Sequence, residues 1–418
     1  LNVPMPEKFD PETTEEVRAI VADALASKTP LEIAGTGSKR AIGRAVDLKY
    51  VLSTARLSGV SLYEPDELVL RAGPGTPMNQ IQLQLDQHGQ MLAFEPPDYG
   101  PLLGGAAGEG TIGGIVAGNL AGPRRIKAGA ARDHFLGVEA VSGRGEVFKS
   151  GGRVVKNVTG YDLCKLMAGS WGTLGVMTQV TVKVLPAPEK TRTVLISCAD
   201  AGTAIDAMTR ALSSPHDVSA AAWMPAPAAA RSGVSYVAAA HTALAAVRVE
   251  GIGSSVDARC DALRDELAEF GEIEELHTHN SLKLWSEIRD VRLLGGGLHA
   301  VANSGDDAIW RISVPPAEAP GLLGRLHAGL EMDAFLDWGG GLIWARVTGM
   351  VDAGSYVIRR AMVSTGGHAL LVRARDDQRA VEPVFHPETA GVERLTRNIK
   401  EAFDPERILN PGRMFDGI

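Results

Sequence analysis

The stretch AGTGSKR, residues 34–40, follows the apolar run PLEI and precedes AIGRAVDL. Small, glycine-rich residues that end in two basic ones leave room for an anion. Backbone N–H groups can close on a phosphate only where side chains do not intrude. A nucleoside-triphosphate loop needs GxxxxGK followed by Ser or Thr. No glycine pair here has that spacing, so that reading fails. A dinucleotide fingerprint needs GxGxxG between a strand and a helix. Gly35 and Gly37 supply its first half, but Arg40 stands where the third glycine belongs, and the residues beyond are β-like. A plain surface turn beside a basic pair is the third reading. The loop by itself does not decide between the last two.

Working outward, Thr13-Thr14-Glu15-Glu16 opens a helix, with Thr13 as cap and Glu16 reaching back. Val17, Ile20, Val21, Ala24 and Leu25 then share one helical face. Pro30 ends that helix, and the strand LEIA feeds the glycine loop. Two short strands around a turn are expected between Asp47 and Val60. An alternating strand, Leu68–Ala72, runs into Gly73-Pro74-Gly75. Thr76 then caps a helix with Pro77 in its first turn and Met78, Ile81 and Leu85 as its buried stripe. The segment MLAFEPPDYG is expected as a strand entering a proline turn. After the glycine-dense region 100–122, strands return in FLGVEAVS, EVFKSGGRVVKNVTGYDL and Val176–Leu185. Pro186-Ala187-Pro188 marks a domain boundary. Beyond it the texture changes to strands mixed with Ala-rich helices, and no internal repeat is visible.

The chain has 418 residues, more than one ordinary core would organise. Its net charge of −8 gives no electrostatic case for nucleic acid. Basic residues cluster locally in PRRIK, 123–127. Three dispersed cysteines, with no CxxC, argue against an iron–sulfur cluster or zinc site and fit a reducing cytoplasm. The polar N-terminal segment has no signal-peptide core. No apolar run approaches the ~20 residues that span a bilayer, so membrane association is expected only through partners.

The loop is not alone. TIGG (111–114) opens a second glycine-rich stretch, GYDL and GSWGTLGV follow between 160 and 176, and ILNPGR (408–413) stands near the end. In that order these segments resemble the FAD-binding domain of the vanillyl-alcohol oxidase / p-cresol methylhydroxylase (PCMH) superfamily. Taken with YEPDELVLRAGPGTP, GQMLAFEPPDYG, AGPRR, VKNVTGYDLCKLMAGSWGTLGV, WRISVPP and FDPERILNPGRMF, the likeness narrows. The chain resembles the FAD-binding E subunits of bacterial glycolate oxidase, over nearly its whole length. AFEPP and GPRR separate it from the sister D subunits.

The resemblance implies an α+β fold. A PCMH-type FAD-binding domain of two subdomains would span 5–187. A cap domain on an antiparallel sheet would span 188–400, and 401–418 would return to the first domain. It implies a first pyrophosphate loop of Gly35, Thr36, Gly37, Ser38 and Lys39, with Ser38 donating a hydroxyl and Lys39 offsetting charge. Pro97 would lie on the adenosine side. Thr111, Gly113 and Gly114 would form the second loop, and Asn119 and Gly122 would continue along the cofactor. Gly175 and Val176 would line the adenine or ribose, and Asn410 would reach the flavin end. Gly113, Gly114 and Gly175 could equally serve only tight strand packing. No histidine lies between Leu31 and Leu48, and neither His88 nor His134 matches a tethering position, so the FAD is expected to be non-covalent.

The catalytic D subunits resemble D-lactate dehydrogenases in an HGDGNxH segment whose histidines hold a metal and help deprotonate a 2-hydroxy acid. This chain has only GGHALLVRA, with His368. His277-Thr-His279 would put two rings on one face of a strand, but EELHTHNS is better read as an exposed polar turn, and no metal site is expected. Arg289, in LWSEIRD, has the shape to hold a substrate carboxylate; the plainer reading is an ion pair with Glu287 or Asp290. With no strong base for glycolate oxidation, the implied role is an FAD subunit beside a catalytic flavin subunit and an iron–sulfur subunit. A self-sufficient 2-hydroxy-acid or alcohol dehydrogenase, and a non-catalytic assembly subunit with a structural flavin, stay open. GPRR and the acidic surface are candidate docking features.

Overall fold

The computed structural model describes residues 7–152, 160–294 and 307–418. It divides into two compact units. One holds Leu1–Ala121, Gly129–Pro186 and Pro387–Ile418; the other holds Gly122–Ala128 and Ala187–His386. The sequence reading put 387–400 in the second domain. That stretch instead belongs to the first unit, most of it in the helix Ala390–Phe403. The expected strand residues 153–159 fall outside the described part of the chain.

In the first unit, the helix Thr14–Ser27 begins where Thr13 Oγ1 accepts from Glu16 N, and Glu16 reaches back to Glu12 N at 2.7 Å. Val17 and Val21, four apart on one face, are fully buried. They pack with Leu31, Leu52, Val141, Val176, Ile408 and Leu409. Three parallel strands, in the order Glu7–Phe9, Tyr50–Ser53 and Leu31–Ala34, form the smaller sheet. A five-stranded antiparallel sheet runs Val60–Glu64, Val69–Ala72, Gly175–Lys183, Phe135–Ser142, Val147–Gly151. The helix Met78–Asp86 buries Ile81 and Leu85 as expected, but Thr76 does not cap it. Its hydroxyl instead donates to Gly73 O at 2.7 Å and accepts from Gly59 N at 2.9 Å, which fixes the turn before the helix. Of MLAFEPPDYG only Met91 is in a strand, the two-residue Gln90–Met91.

The C-terminal segment is part of this unit. Lys400 is 1% exposed and donates to Asp404 Oδ2 at 2.7 Å, Thr173 O at 2.8 Å and Leu409 O at 2.8 Å. Asp404 in turn accepts from Ile408 N and Leu409 N. A buried ion pair is tolerated when its remaining hydrogen-bonding capacity is filled this way. Leu31 N donates to Ile408 O and Asn410 N to Leu31 O, so ILN lies along the strand that feeds the glycine loop.

The second unit has a repeat that its sequence does not display. Lys190–Ser197, Ala201–Ser213, Val218–Met224, Leu244–Gly251, Gly253–Leu267 and Ile273–Leu276 follow the pattern βαββαβ. Ala308–Ser313, Ala319–Gly329, Met332–Asp337, Leu342–Val347, Ser355–Met362 and His368–Arg373 follow it again. Each half orders its strands 4-1-3-2, and the halves join through their second strands, where Trp223 faces Leu336. The product is one eight-stranded antiparallel sheet. Side chains alternate across it: Val194, Ile196, Val247, Trp310, Ile312 and Ile343 join the helix-side core. Thr193, Arg248, Glu250 and Arg311 therefore fall on the other face.

The GPRR segment is built into this second unit. Arg124 forks onto the Glu250 carboxylate at 2.8 and 3.0 Å with both side chains nearly buried, Trp338 Nε1 donates to Gly122 O, and Arg125 lies over the Trp338 ring. Arg124 is thus a structural anchor and not an exposed docking group. Among the described residues, no helix is long and apolar enough to cross a membrane.

Candidate functional site

The site is a cleft in the first unit with about 710 Å³ of free space, lined by residues 32–40 and by Thr54, Pro74, Thr111, Gly113, Gly114, Ala117, Trp171, Gly172, Gly175, Met177 and Arg413. The strand Leu31–Ala34 delivers the AGTGSKR loop to it. A side chain at Gly35 would start 2.9 Å from Thr111 Oγ1, and Gly37 has φ +87°, so the loop needs glycine at both positions for different reasons. Thr36 Oγ1 donates to Glu109 O at 2.6 Å and ties this loop to the second glycine-rich stretch. Thr111 accepts from Gly114 N at 3.3 Å and caps the short helix Ile112–Ala117.

Pro74 is the wall on which the second loop rests. Gly113 N donates to Pro74 O at 2.8 Å, and a Cβ on Gly113 would lie 2.6 Å from Pro74 Cβ. Gly73 and Gly75 are equally constrained, since a Cβ on either would sit 2.2 Å from a carbonyl oxygen, that of Leu57 or Thr54. This is why the chain reads Gly73-Pro74-Gly75. From the C-terminal side, Arg413 Nη2 donates to Lys39 O at 3.0 Å and Arg44 N donates to Arg413 O at 2.9 Å.

Three cations stand in the cleft wall, and they differ. Arg40 donates from Nε and Nη2, one edge of its guanidinium, to the two oxygens of Glu32, and that contact raises its pKa. Arg413 serves the loop backbone. Burial pushes the Lys39 ammonium down to about 8, with the more distant Asp98 pulling it back in part. Among the described residues no carboxylate lies within 4 Å of Lys39 Nζ, whose one hydrogen-bond partner is Ser38 Oγ at 3.4 Å. A glycine cradle that side chains would fill, together with a desolvated ammonium, fits an anionic diphosphate.

The structure brings Gly35, Thr36, Gly37, Ser38, Lys39, Thr111, Gly113, Gly114 and Gly175 to this one cleft. It does not bring the other expected residues there. Val176 is fully buried in the core with Val17 and Val141. Pro97 is buried in its turn. Asn119, at φ +47°, accepts from Arg132 N. Gly122 belongs to the second unit. Asn410 is 2% exposed, and its amide is spent on backbone: Oδ1 accepts from Ile33 N at 2.7 Å, while Nδ2 donates to Trp171 O at 2.7 Å and Ile33 O at 3.3 Å. Sequence reasoning missed Glu32, Arg40, Thr54, Pro74, Trp171 and Arg413. All but Thr54 lie inside the quoted segments, but reading glycines first passed over them as site residues.

On the substrate side, Arg289 pairs with Asp290 at 2.8 and 2.9 Å, whereas Glu287 accepts from Ser232 Oγ and Gly233 N. His368 opens its strand, and burial followed by the nearby Arg311, His386 and Arg125 lowers its pKa. His277 and His279 are neither on a strand nor in a turn: His277 precedes, and His279 lies within, the first turn of the helix Thr278–Arg289. Among the described residues no group of three or more His, Cys, Asp or Glu could hold a metal.

Comparison with known proteins agrees with this geometry. A family model described as an FAD binding domain matches residues 8–151, and one described as FAD linked oxidases, C-terminal domain, matches 388–414. The glycolate oxidase subunit GlcE of Escherichia coli K12 is 35% identical over 397 residues, covering 94% of this chain and 95% of that protein. The chain belongs to the glycolate oxidase E-subunit family. It carries an FAD-binding domain and is a member of the FAD-linked oxidoreductases. A D-lactate dehydrogenase of Archaeoglobus fulgidus is 35% identical over 178 residues, 42% of this chain and 38% of that protein. At the level of fold alone, 4-ethylphenol oxidase from Gulosibacter chungangensis matches with TM-score 0.70 and 14% identity, covering 98% of this chain and 89% of that one. p-Cresol methylhydroxylase matches with TM-score 0.69 and 15% identity, covering 98% and 88%. The α+β, PCMH-type architecture expected from the sequence is therefore the one the chain has.

Proposed function

We propose that the chain is the FAD-carrying subunit of a complex that oxidises glycolate to glyoxylate, with the diphosphate of its FAD held in the 32–40 cleft. The observation that carries this reading is a full-length relative named as a glycolate oxidase subunit, combined with a cleft whose glycines keep side chains out of the space beside Lys39. Bound FAD would supply a two-electron acceptor ring. Gly35, Gly37, Gly113 and Gly114 would leave space for the diphosphate, Thr36 and Thr111 would fix the two loops against each other, and Ser38 and Lys39 would face the anion. Pro97, Asn119, Gly122, Val176 and Asn410 would then act through packing and backbone support. Gly175 would set the close approach of its strand to the cleft.

Deprotonation of the 2-hydroxy acid is assigned to a catalytic flavin subunit, and onward electron transfer to an iron–sulfur subunit. Arg289, engaged by Asp290, and His368, depressed in basicity, are poor candidates for that base. The complex would work in the cytoplasm and meet the membrane only through its partners. Anaerobic titration of the purified chain with glycolate tests this. Flavin that stays oxidised until the partner subunits are added supports the reading. Flavin that bleaches in the isolated chain overturns it in favour of a self-sufficient dehydrogenase.

A further inference from the structure

We propose that the Lys39 ammonium, held between the two glycine loops, is the counter-charge that makes the cleft selective for a diphosphate-bridged flavin over a flavin without phosphate. The inference rests on the FAD reading above and assigns the discrimination within that site to one residue. Its geometry is specific. Lys39 Nζ lies 3.4 Å from where a Cβ would stand on Gly110 and 3.5 Å from that point on Gly114, so the side chain crosses from the first loop to the second. Ser38 Oγ accompanies it.

The charged groups around it are committed elsewhere. Glu32 is closed on Arg40. Asp98 holds its own turn, accepting Gly100 N at 3.2 Å and Gly108 N at 2.7 Å. Glu109 meets the loop through its backbone carbonyl, which takes the Thr36 hydroxyl. Arg413 donates to Lys39 O. An ammonium desolvated without a contacting carboxylate is held at a cost. A bound diphosphate removes that cost, whereas an uncharged isoalloxazine with a sugar chain does not.

A linked protonation follows. In the ligand-free cleft Lys39 titrates near 8. Diphosphate contact would return it towards or above the ordinary lysine value of about 10.5, so binding above pH 8 requires uptake of a proton. The folded group is most competent when protonated, and FAD affinity should fall about tenfold from pH 7 to pH 9.

The test uses the full-length chain stripped of flavin, with FAD and riboflavin binding followed by flavin fluorescence at pH 7, 8 and 9. The variants are Lys39→Met and Lys39→Arg, both checked for native circular dichroism. Lys39→Met should weaken FAD about tenfold to a hundredfold, as expected for loss of a charge-assisted contact, and leave riboflavin unchanged. Lys39→Arg, charged throughout this range, should keep FAD binding and abolish its pH dependence. Equal loss of FAD and riboflavin in Lys39→Met, or a wild-type pH slope that persists in Lys39→Arg, overturns the proposal. A wild-type chain that binds neither flavin overturns the FAD reading itself.

Discussion

Asn410→Ala separates a structural clasp from a flavin contact. The side chain satisfies Ile33 N and Trp171 O at 2.7 Å each and adds a longer contact to Ile33 O, and the residue itself has φ +45°. Removing the amide takes the acceptor from Ile33 N and one donor from Trp171 O, worth about 1–3 kcal/mol each where water does not reach them. Alanine tolerates the left-handed region less well than asparagine, adding up to about 1–2 kcal/mol. Because Ile33 and Trp171 are only partly buried, the expected loss is about 3–5 kcal/mol, a large share of the stability of an ordinary domain. The assay is urea unfolding of the flavin-free chain by far-ultraviolet circular dichroism, fitted with separate transitions for the two units. Asn410→Gly, which removes the amide without the backbone strain, should recover about 1 kcal/mol of the loss. If Asn410→Ala changes flavin-free stability by less than 1 kcal/mol yet weakens FAD binding tenfold or more, the clasp argument is wrong and the amide belongs to the flavin.

Three other perturbations follow from the same structure. Gly37→Trp puts a bulky side chain at φ +87° in the cleft wall, and the purified protein should be colourless; a full yellow complement would remove the phosphate site from this loop. Asp404→Ala strips Lys400, Ile408 N and Leu409 N of a buried acceptor and should cost the first unit about 3–5 kcal/mol, read by the same urea experiment. Glu250, which burial pushes up but Arg248, Arg124 and Ser219 together pull down to about 2, contributes stability that is fully present above its unfolded value of about 4.5 and is lost as pH falls towards 2. Acid unfolding of Glu250→Gln should therefore lack about 3 kcal/mol of the pH dependence seen in the wild type over that window, and superimposable curves would refute it.

What the sequence disclosed follows from how local each cause is. The glycine loop was legible because its constraint lies in its own backbone: Gly37 needs positive φ and Gly35 needs an absent Cβ, and each is written as one letter. The FDPERILNPGR motif was legible as a motif but not as a mechanism. Its aspartate and asparagine could equally have met a cofactor, and only the positions of Ile33, Trp171 and Lys400 show that both bind backbone and that Asp404 also holds Lys400. Thr76 failed as a predicted cap because the hydroxyl found nearer partners in Gly73 O and Gly59 N, and Arg124 failed as a docking residue because Glu250, far along the chain, claims it.

The doubled βαββαβ topology was illegible for a different reason. A sheet covered by helices asks of its inward positions only that they be apolar and of suitable size. Val194, Ala245 and Ala221 can therefore answer to Trp310, Ile343 and Leu336 without resembling them. Spacing gives no help either. The first half inserts the short helices Ala226–Ala229 and Ser235–Ala238 between its second and third strands, where the second half turns through Trp338–Gly340. The outward face has diverged still further. In the first half, Arg248 bonds Ser219 and stacks on Trp285, which itself donates to Thr193. In the second half, Arg311 lies over Trp338, whose indole also receives Arg125. A strand arginine thus lies on an indole on the outward face of both halves, from the third strand onto a helix indole in one and from the first strand onto a turn indole in the other. The two halves share that pairing of cation and indole without sharing a sequence.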